Sequence, residues 1–287
     1  MKPAFSTVAC PDWTLDQVAR GAEEWGFLGV ELRTFGSGST QFACDPALTA
    51  PEKTRSLFDR AGVEIACLGT SVRFDEPGGS PLAYIVGDKD RSTREVKDAI
   101  QLACELECPF VRVFGFELEG NESRRRAMQR VVERLRLALA AARHTQVRLV
   151  IENGGTFRTA TALAELLDQV DNPALGAAYS FATASSADEN PAHGVNVLGD
   201  RLLMAKVADY HAGVPCALGQ GDVPNRQGVE ALAQSGFAGW IVYEYPRAWV
   251  GGATAAPEGV LTQSAKALYS WIGRREINRP SRASVRA

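Results

Sequence analysis

Histidine is scarce in this chain: three in 287 residues, at positions 144, 193 and 211. So few imidazoles, so far apart, exclude a histidine-rich metal site. Cysteine offers no alternative, because the six residues (Cys10, Cys44, Cys67, Cys104, Cys108, Cys216) stand singly without a C-x2-C pair. Cys104 and Cys108 lie four apart on an expected helix and are read, with the others, as free thiols of a reducing compartment. No apolar run approaches bilayer length, and the start "MKPAFSTVACPDW" has no signal-peptide core. A cytoplasmic protein with no membrane partner is expected. Charge of one sign is also lacking: 31 Lys and Arg against 34 Asp and Glu leave a net charge of -3. The charges are interspersed, so no field recruits nucleic acid. A chain that is 45% hydrophobic and 23% charged is an ordinary globular one, which excludes disordered and collagen-like classes.

What is present is an alternation. Short apolar runs of strand character recur at residues 4–9, 29–33, 64–70, 110–116, 148–153, 174–180, 202–208 and 239–245. Segments of helical period separate them. "TLDQVARGAEEWGF" follows Asp12, a candidate N-cap, and "APEKTRSLFDRAGV" carries Pro51 in its first turn and Gly62 past its end. Met128, Val131, Val132, Leu135 and Leu139 form one stripe opposite a solvated face of arginines. The sixth helix is the weak member, in the glycine-containing "ADENPAHGVNVLGD". No flexible linker divides the chain and no G-x-G-x-x-G turn follows the first strand, so the pattern predicts an α/β fold, a single (β/α)8 TIM barrel over 1–273. Residues 274–287 are expected to be a frayed basic tail.

In such a barrel the chemistry gathers at the C-terminal ends of the strands. Strand five ends in Glu152 and Asn153, strand eight in Glu244, and strand two in Glu31 and Arg33. Strand four contains Arg112. Strand seven carries Lys206 in an otherwise apolar run, with Asp209 just beyond. Two carboxylates and a lysine converging on one mouth point to an active site, with Glu152, Glu244 and Lys206 as its catalytic candidates. Arg33, Arg112 and Arg247 are candidate ligands of substrate hydroxyl, carboxylate or phosphate groups. Arg73, in the long segment "SVRFDEPGGSPLAYIVGDKD", Asn153, and the aromatics Trp13 and Trp249 complete the candidate substrate contacts. Tyr179 and Phe181 flank Ser180 and are expected to fill space beside it.

Over nearly its whole length the chain resembles the sugar phosphate isomerase/epimerase group of xylose-isomerase-like TIM barrels. The resemblance is carried by "LDQVARGAEEWGFLGVELR", "RLVIENGG", "LGQGDVP" and "LAQSGFAGWIVYEYPR". It implies a divalent ion, often Mn2+, Mg2+ or Co2+, held by Glu, Asp, His and Glu at the ends of strands five to eight. The two glutamates fall on Glu152 and Glu244, whereas Ser180 stands for the aspartate and Lys206 for the histidine. An ammonium has no lone pair and repels a cation, so the family's metal is not expected here and no cofactor is expected. His211 is read as a loop residue beyond the strand.

The resemblance implies an isomerase or epimerase of a keto-sugar, polyol or sugar phosphate, working by proton transfer next to a carbonyl. Without an ion, Lys206 would be the cation that keeps the two carboxylates compatible. Three other readings stay open at this point: a lyase (dehydratase) acting on a keto-inositol or keto-sugar, a Schiff-base lyase through Lys206, and a non-catalytic sugar-binding barrel. The expected partner is a small carbohydrate, and the resemblance implies a homo-oligomer.

Overall fold

The computed structural model describes residues 1–34, 50–75, 91–118 and 123–273. The 274–287 tail, Cys44 and most of the segment after Arg73 lie outside the described residues. Eight parallel strands close a barrel: β1 (Lys2–Ser6), β2 (Gly29–Arg33), β3 (Glu64–Arg73), β4 (Phe110–Phe114), β5 (Arg148–Glu152), β6 (Leu175–Ser180), β7 (Leu202–Val207) and β10 (Trp240–Tyr243). β10 closes the ring by pairing with both β1 and β7. A short antiparallel hairpin, β8 (Asp209–His211) and β9 (Val214–Cys216), follows β7 directly.

Helices cover the outside, and their ends follow local chemistry. α1 (Leu15–Trp25) begins at Thr14, not at Asp12: Thr14 and Gln17 form a reciprocal capping box. α2 (Pro51–Ala61) starts on proline and stops at Gly62, whose φ of 65° gives it the left-handed cap. The weak sixth helix is two pieces, Phe181–Ser185 and Pro191–Leu198. The first strand ends earlier than its apolar run, since Thr7–Ala9 turns into a 3-10 helix.

The period of two along each strand sorts side chains between two cores. Outward residues such as Val30, Ile151, Tyr179 and Ile241 pack under the helices. Inward ones, Ala4, Ala66, Cys67, Val150, Ala178, Met204, Trp240 and Val242, fill the barrel's lower interior. Tyr179 therefore points away from the mouth, where its hydroxyl donates to Glu189 at 2.6 Å. Phe181 is buried against Gly228, so neither aromatic fills space beside Ser180 within the barrel.

Candidate active site

The inward register continues upward from the apolar layer, and there the chemistry changes. Lys206 sits beside Val242 on β10 and Ser180 on β6. Two residues below it Met204 is packed in hydrocarbon, while Lys206 itself is 2% exposed. Its ammonium lies 2.5 Å from Glu244 Oε2, 3.1 Å from Glu31 Oε1 and 3.4 Å from Glu152 Oε2. A buried cation surrounded by three carboxylates is possible because two further cations stand close by. Arg112 Nη1 is 3.1 Å from Glu152 Oε2. Arg33 is held by hydrogen bonds of 2.7 Å to Gly69 O and 2.7 Å to Ser71 Oγ. Three formal positive charges and three negative ones thus share the mouth.

Electrostatics decides their protonation. Burial alone would raise the Glu31 carboxyl, but Lys206, then Arg112, the Ser6 hydroxyl at 2.8 Å and Arg33 bring it down to about 2. Glu244 behaves alike: burial opposes its charge, Lys206 favours it, and the net shift is downward. Burial opposes the Lys206 ammonium too, yet Glu152, Glu244 and Glu31 together push its pKa up. For Arg33 burial and the neighbouring Arg112 win, and its guanidinium falls to about 10. Glu31, Glu244 and Lys206 therefore stand as fixed charges. Glu244, 28% exposed at its side chain, is the carboxylate most open to a visitor.

Glu31, which the sequence shows only as the end of strand two, is a central member of the cluster. Its signal was present, since a carboxylate in "GVELR" is as anomalous as the lysine of strand seven. Its pairing with Lys206 is separated by 175 positions and exists only once the barrel closes. Gly69 makes room for the pair: a Cβ there would lie 3.1 Å from both Arg112 Nη2 and Glu31 Cδ.

The other candidates have visible partners. Asn153, 1% exposed, accepts from Ser180 N at 2.6 Å and donates to Arg158 O and Ser180 O. With both amide protons so used, it ties β5 to β6 and fixes the end of the strand that carries Glu152. Arg73 is the last residue of β3, paired with Asp75 at 3.1 Å and lying over the Phe116 ring. Arg247 reaches Asp12 at 2.5 Å, and this pairing occupies the aspartate read as a helix cap. Trp13 packs on Trp25 with ring centroids 5.7 Å apart. Trp249 is 52% exposed, with the Arg33 guanidinium 5.7 Å from its ring. These contacts bring Glu152, Glu244, Lys206 and Arg112 together with Glu31, and leave Arg73, Arg247 and Trp13 engaged elsewhere.

Asp209 organises the loop beyond β7. Its buried carboxylate accepts from the amides of Gly219, Gly221 and Val223 at 2.8, 3.1 and 3.2 Å. A Cβ on Gly221 would collide with that carboxylate, which accounts for the second glycine of "LGQGDVP". His211 is 72% exposed at its side chain and faces Asp222. Ser180 Oγ accepts from Thr183 N at 3.3 Å, capping the short helix that follows. Cys67 and Cys108 are buried free thiols, raised above the ordinary range by burial first. Cys104 is a free thiol exposed on α3 (Arg91–Glu105).

Among the described residues no helix is long and apolar enough to cross a membrane. No curated protein matches the chain in sequence. Solved structures do resemble it in fold. The IolI protein with a bound zinc atom superposes with a TM-score of 0.77 at 15% identity, over 95% of this chain and 98% of that one. D-psicose 3-epimerase with D-tagatose, from Clostridium cellulolyticum H10, gives 0.74 at 16%, over 95% and 98%. The probable 3-DHS dehydratase AsbF of petrobactin synthesis in Bacillus anthracis gives 0.74 at 16%, over 93% and 98%. At such identities the likeness is one of fold. Residues 19–271 also match a sequence family, and on that match, with the closed eight-stranded barrel, the chain belongs to the xylose isomerase-like TIM barrels.

Proposed function

We propose that this protein is an isomerase or epimerase of a keto-sugar or related polyol that transfers a proton next to a carbonyl, and that Lys206 stands where a divalent ion would otherwise be. The observation that carries this reading is the position of the Lys206 ammonium, 2.5 Å from Glu244 and 3.4 Å from Glu152. Removing a proton beside a carbonyl needs a base, and it needs positive charge near the oxygen on which negative charge develops. Glu244 is the base on this reading: it is ionised, the most exposed of the three carboxylates, and above the buried cation. Glu152 flanks the opposite side of the lysine and completes the proton-transfer pair. Lys206 and Arg112 supply the positive field, in a site where burial makes charge count for more than in water.

The residues present do not fit the family's ion. The ammonium occupies the space between the carboxylates, and it has no lone pair to give. Ser180 Oγ, at the position the resemblance assigns to an aspartate, is engaged in capping a helix. A Schiff base through Lys206 fares no better, because that chemistry needs a free amine and the three carboxylates hold this one charged. A dehydratase shares the enediolate intermediate and differs only in expelling a neighbouring hydroxyl. The fold likeness to a probable 3-DHS dehydratase keeps that outcome among the products to be looked for.

The test is Glu152→Gln, assayed against a panel of ketoses by exchange of the α hydrogen with deuterated water. Loss of a positioned acid-base group lowers turnover by about 10²–10⁴-fold. Unchanged exchange in the variant would remove Glu152 from the mechanism.

A further inference from the structure

We propose that the Tyr210 hydroxyl is a free hydrogen-bond donor of this site, directed at a substrate oxygen that lies within the field of Lys206. The inference rests on the proton-transfer reading above and adds a residue to it.

The need for a donor comes from counting. The Lys206 ammonium donates to Glu31 Oε1 at 3.1 Å and lies 2.5 Å from Glu244 Oε2, so carboxylates engage two of its three N–H groups. At 2% exposure it acts on a substrate oxygen chiefly through its charge. Glu31 and Glu244, held ionised, only accept. Each terminal nitrogen of Arg33 already donates to Gly69 O or Ser71 Oγ. Arg112 keeps an Nε without a partner among the described residues but is 3% exposed, so a carbonyl entering this mouth would meet bases and fixed charge with few exposed donors.

Tyr210 is placed to fill that gap. β7 ends at Val207 and β8 begins at Asp209, with one residue between them, so alternation carried across Ala208 puts Tyr210 on the side of Lys206, toward the mouth. Asp209 faces the other way, fixed there by the three loop amides. That anchor determines the direction of its neighbour. The hairpin is braced besides: Tyr243 Oη donates to Cys216 O at 2.9 Å, and the Tyr210 carbonyl accepts from Asp222 N at 2.9 Å. Among the described residues the Tyr210 hydroxyl has no hydrogen-bond partner, although its ring is half-buried. Burial first, then the charges of Glu244 and Glu152 acting against that of Lys206, raise the phenol to about 12. At neutral pH the group is a protonated donor beside the proposed base.

The experiment compares wild type, Tyr210→Phe, Tyr210→Leu and Glu152→Gln in the same deuterium-exchange assay, with thermal melting to confirm folding. The inference predicts that Tyr210→Phe lowers kcat by about 10²-fold, the scale for losing one donor to a developing oxyanion. KM should move by less than about threefold, because the bond strengthens in the transition state. A ketose soaked into crystals should place an oxygen about 3 Å from Tyr210 Oη. If Glu152→Gln loses exchange while Tyr210→Phe matches wild type, the tyrosine assignment is overturned and the proton-transfer reading stands. Impairment only in Tyr210→Leu would make the ring a packing group, which also overturns it. No ketose exchanged by wild type would bring down both.

Discussion

The two ends of the barrel's interior are built by the same strands with the same period, and they do opposite things. In the lower half Ala4, Val150, Ala178, Met204 and Val242 meet as hydrocarbon, and at the base Trp240 lies under the Lys2 ammonium at 4.7 Å. In the upper half the next inward positions are Ser6, Glu152, Ser180, Lys206 and Glu244, joined by Glu31 and Arg112. Packing the first half contributes stability through area removed from water. Assembling the second half costs desolvation that its ion pairs at best offset, so a hydrophobic plug there would be at least as stable. Among the described residues some buried polar atoms even remain without hydrogen-bond partners, Glu31 Oε2 and Arg112 Nε included. Groups kept at such expense in one layer are better explained by chemistry than by folding.

The comparison can be broken at several points. Lys206→Met should have the largest effect, because it leaves three carboxylates facing one another without their cation. Breaking a buried pair in this way costs roughly 3–5 kcal/mol, and ketose exchange should vanish as well. Denaturant titration and the exchange assay check the two losses.

Met204→Ala, two residues earlier on the same strand, should separate stability from chemistry. The cavity it leaves in the lower layer costs about 2–5 kcal/mol. The shape of the pH–rate profile should be unchanged. A profile altered as in a mouth variant would show that the two halves are not independent.

Acid should expose the upper half more gently. The folded Glu31 carboxyl, at about 2, lies below its ordinary value of 4.5, so its contribution is fully present above pH 4.5 and is lost as pH falls toward 2. Lys206 works in the other direction: its contribution is present below 10.5 and fades as pH rises through its raised folded value. Melting temperature measured against pH should therefore fall more steeply between pH 4.5 and 2 in wild type than in Glu31→Gln.

Much of this was legible before folding. Eight apolar runs alternating with helical segments specify a barrel because parallel strands covered on both faces read as continuous hydrophobic stretches. The lysine in "LLMAKVA" announced the site by violating that rule. Boundaries were less legible. Thr14 rather than Asp12 caps α1, although the T-x-x-Q signature was on view, and Asp12 was drawn off by Arg247 across the fold. The hairpin at 209–216 was hidden because each arm has only three residues. Asn153 showed its type but not its partners, since Ser180 and Arg158 reach it only after β5 and β6 pair. Glu31 shows the limit most plainly: a charge within a strand can be seen from sequence, but the residue that answers it is set by closure of the ring.

The central claim is that a protein ammonium holds the position of an ion. It is tested most directly by elemental analysis of the purified protein, paired with ketose exchange before and after exhaustive chelation. The account predicts no stoichiometric divalent ion and the same exchange rate in both samples. A stoichiometric divalent ion bound between Glu152 and Glu244, with activity that chelation abolishes and the ion restores, would contradict it.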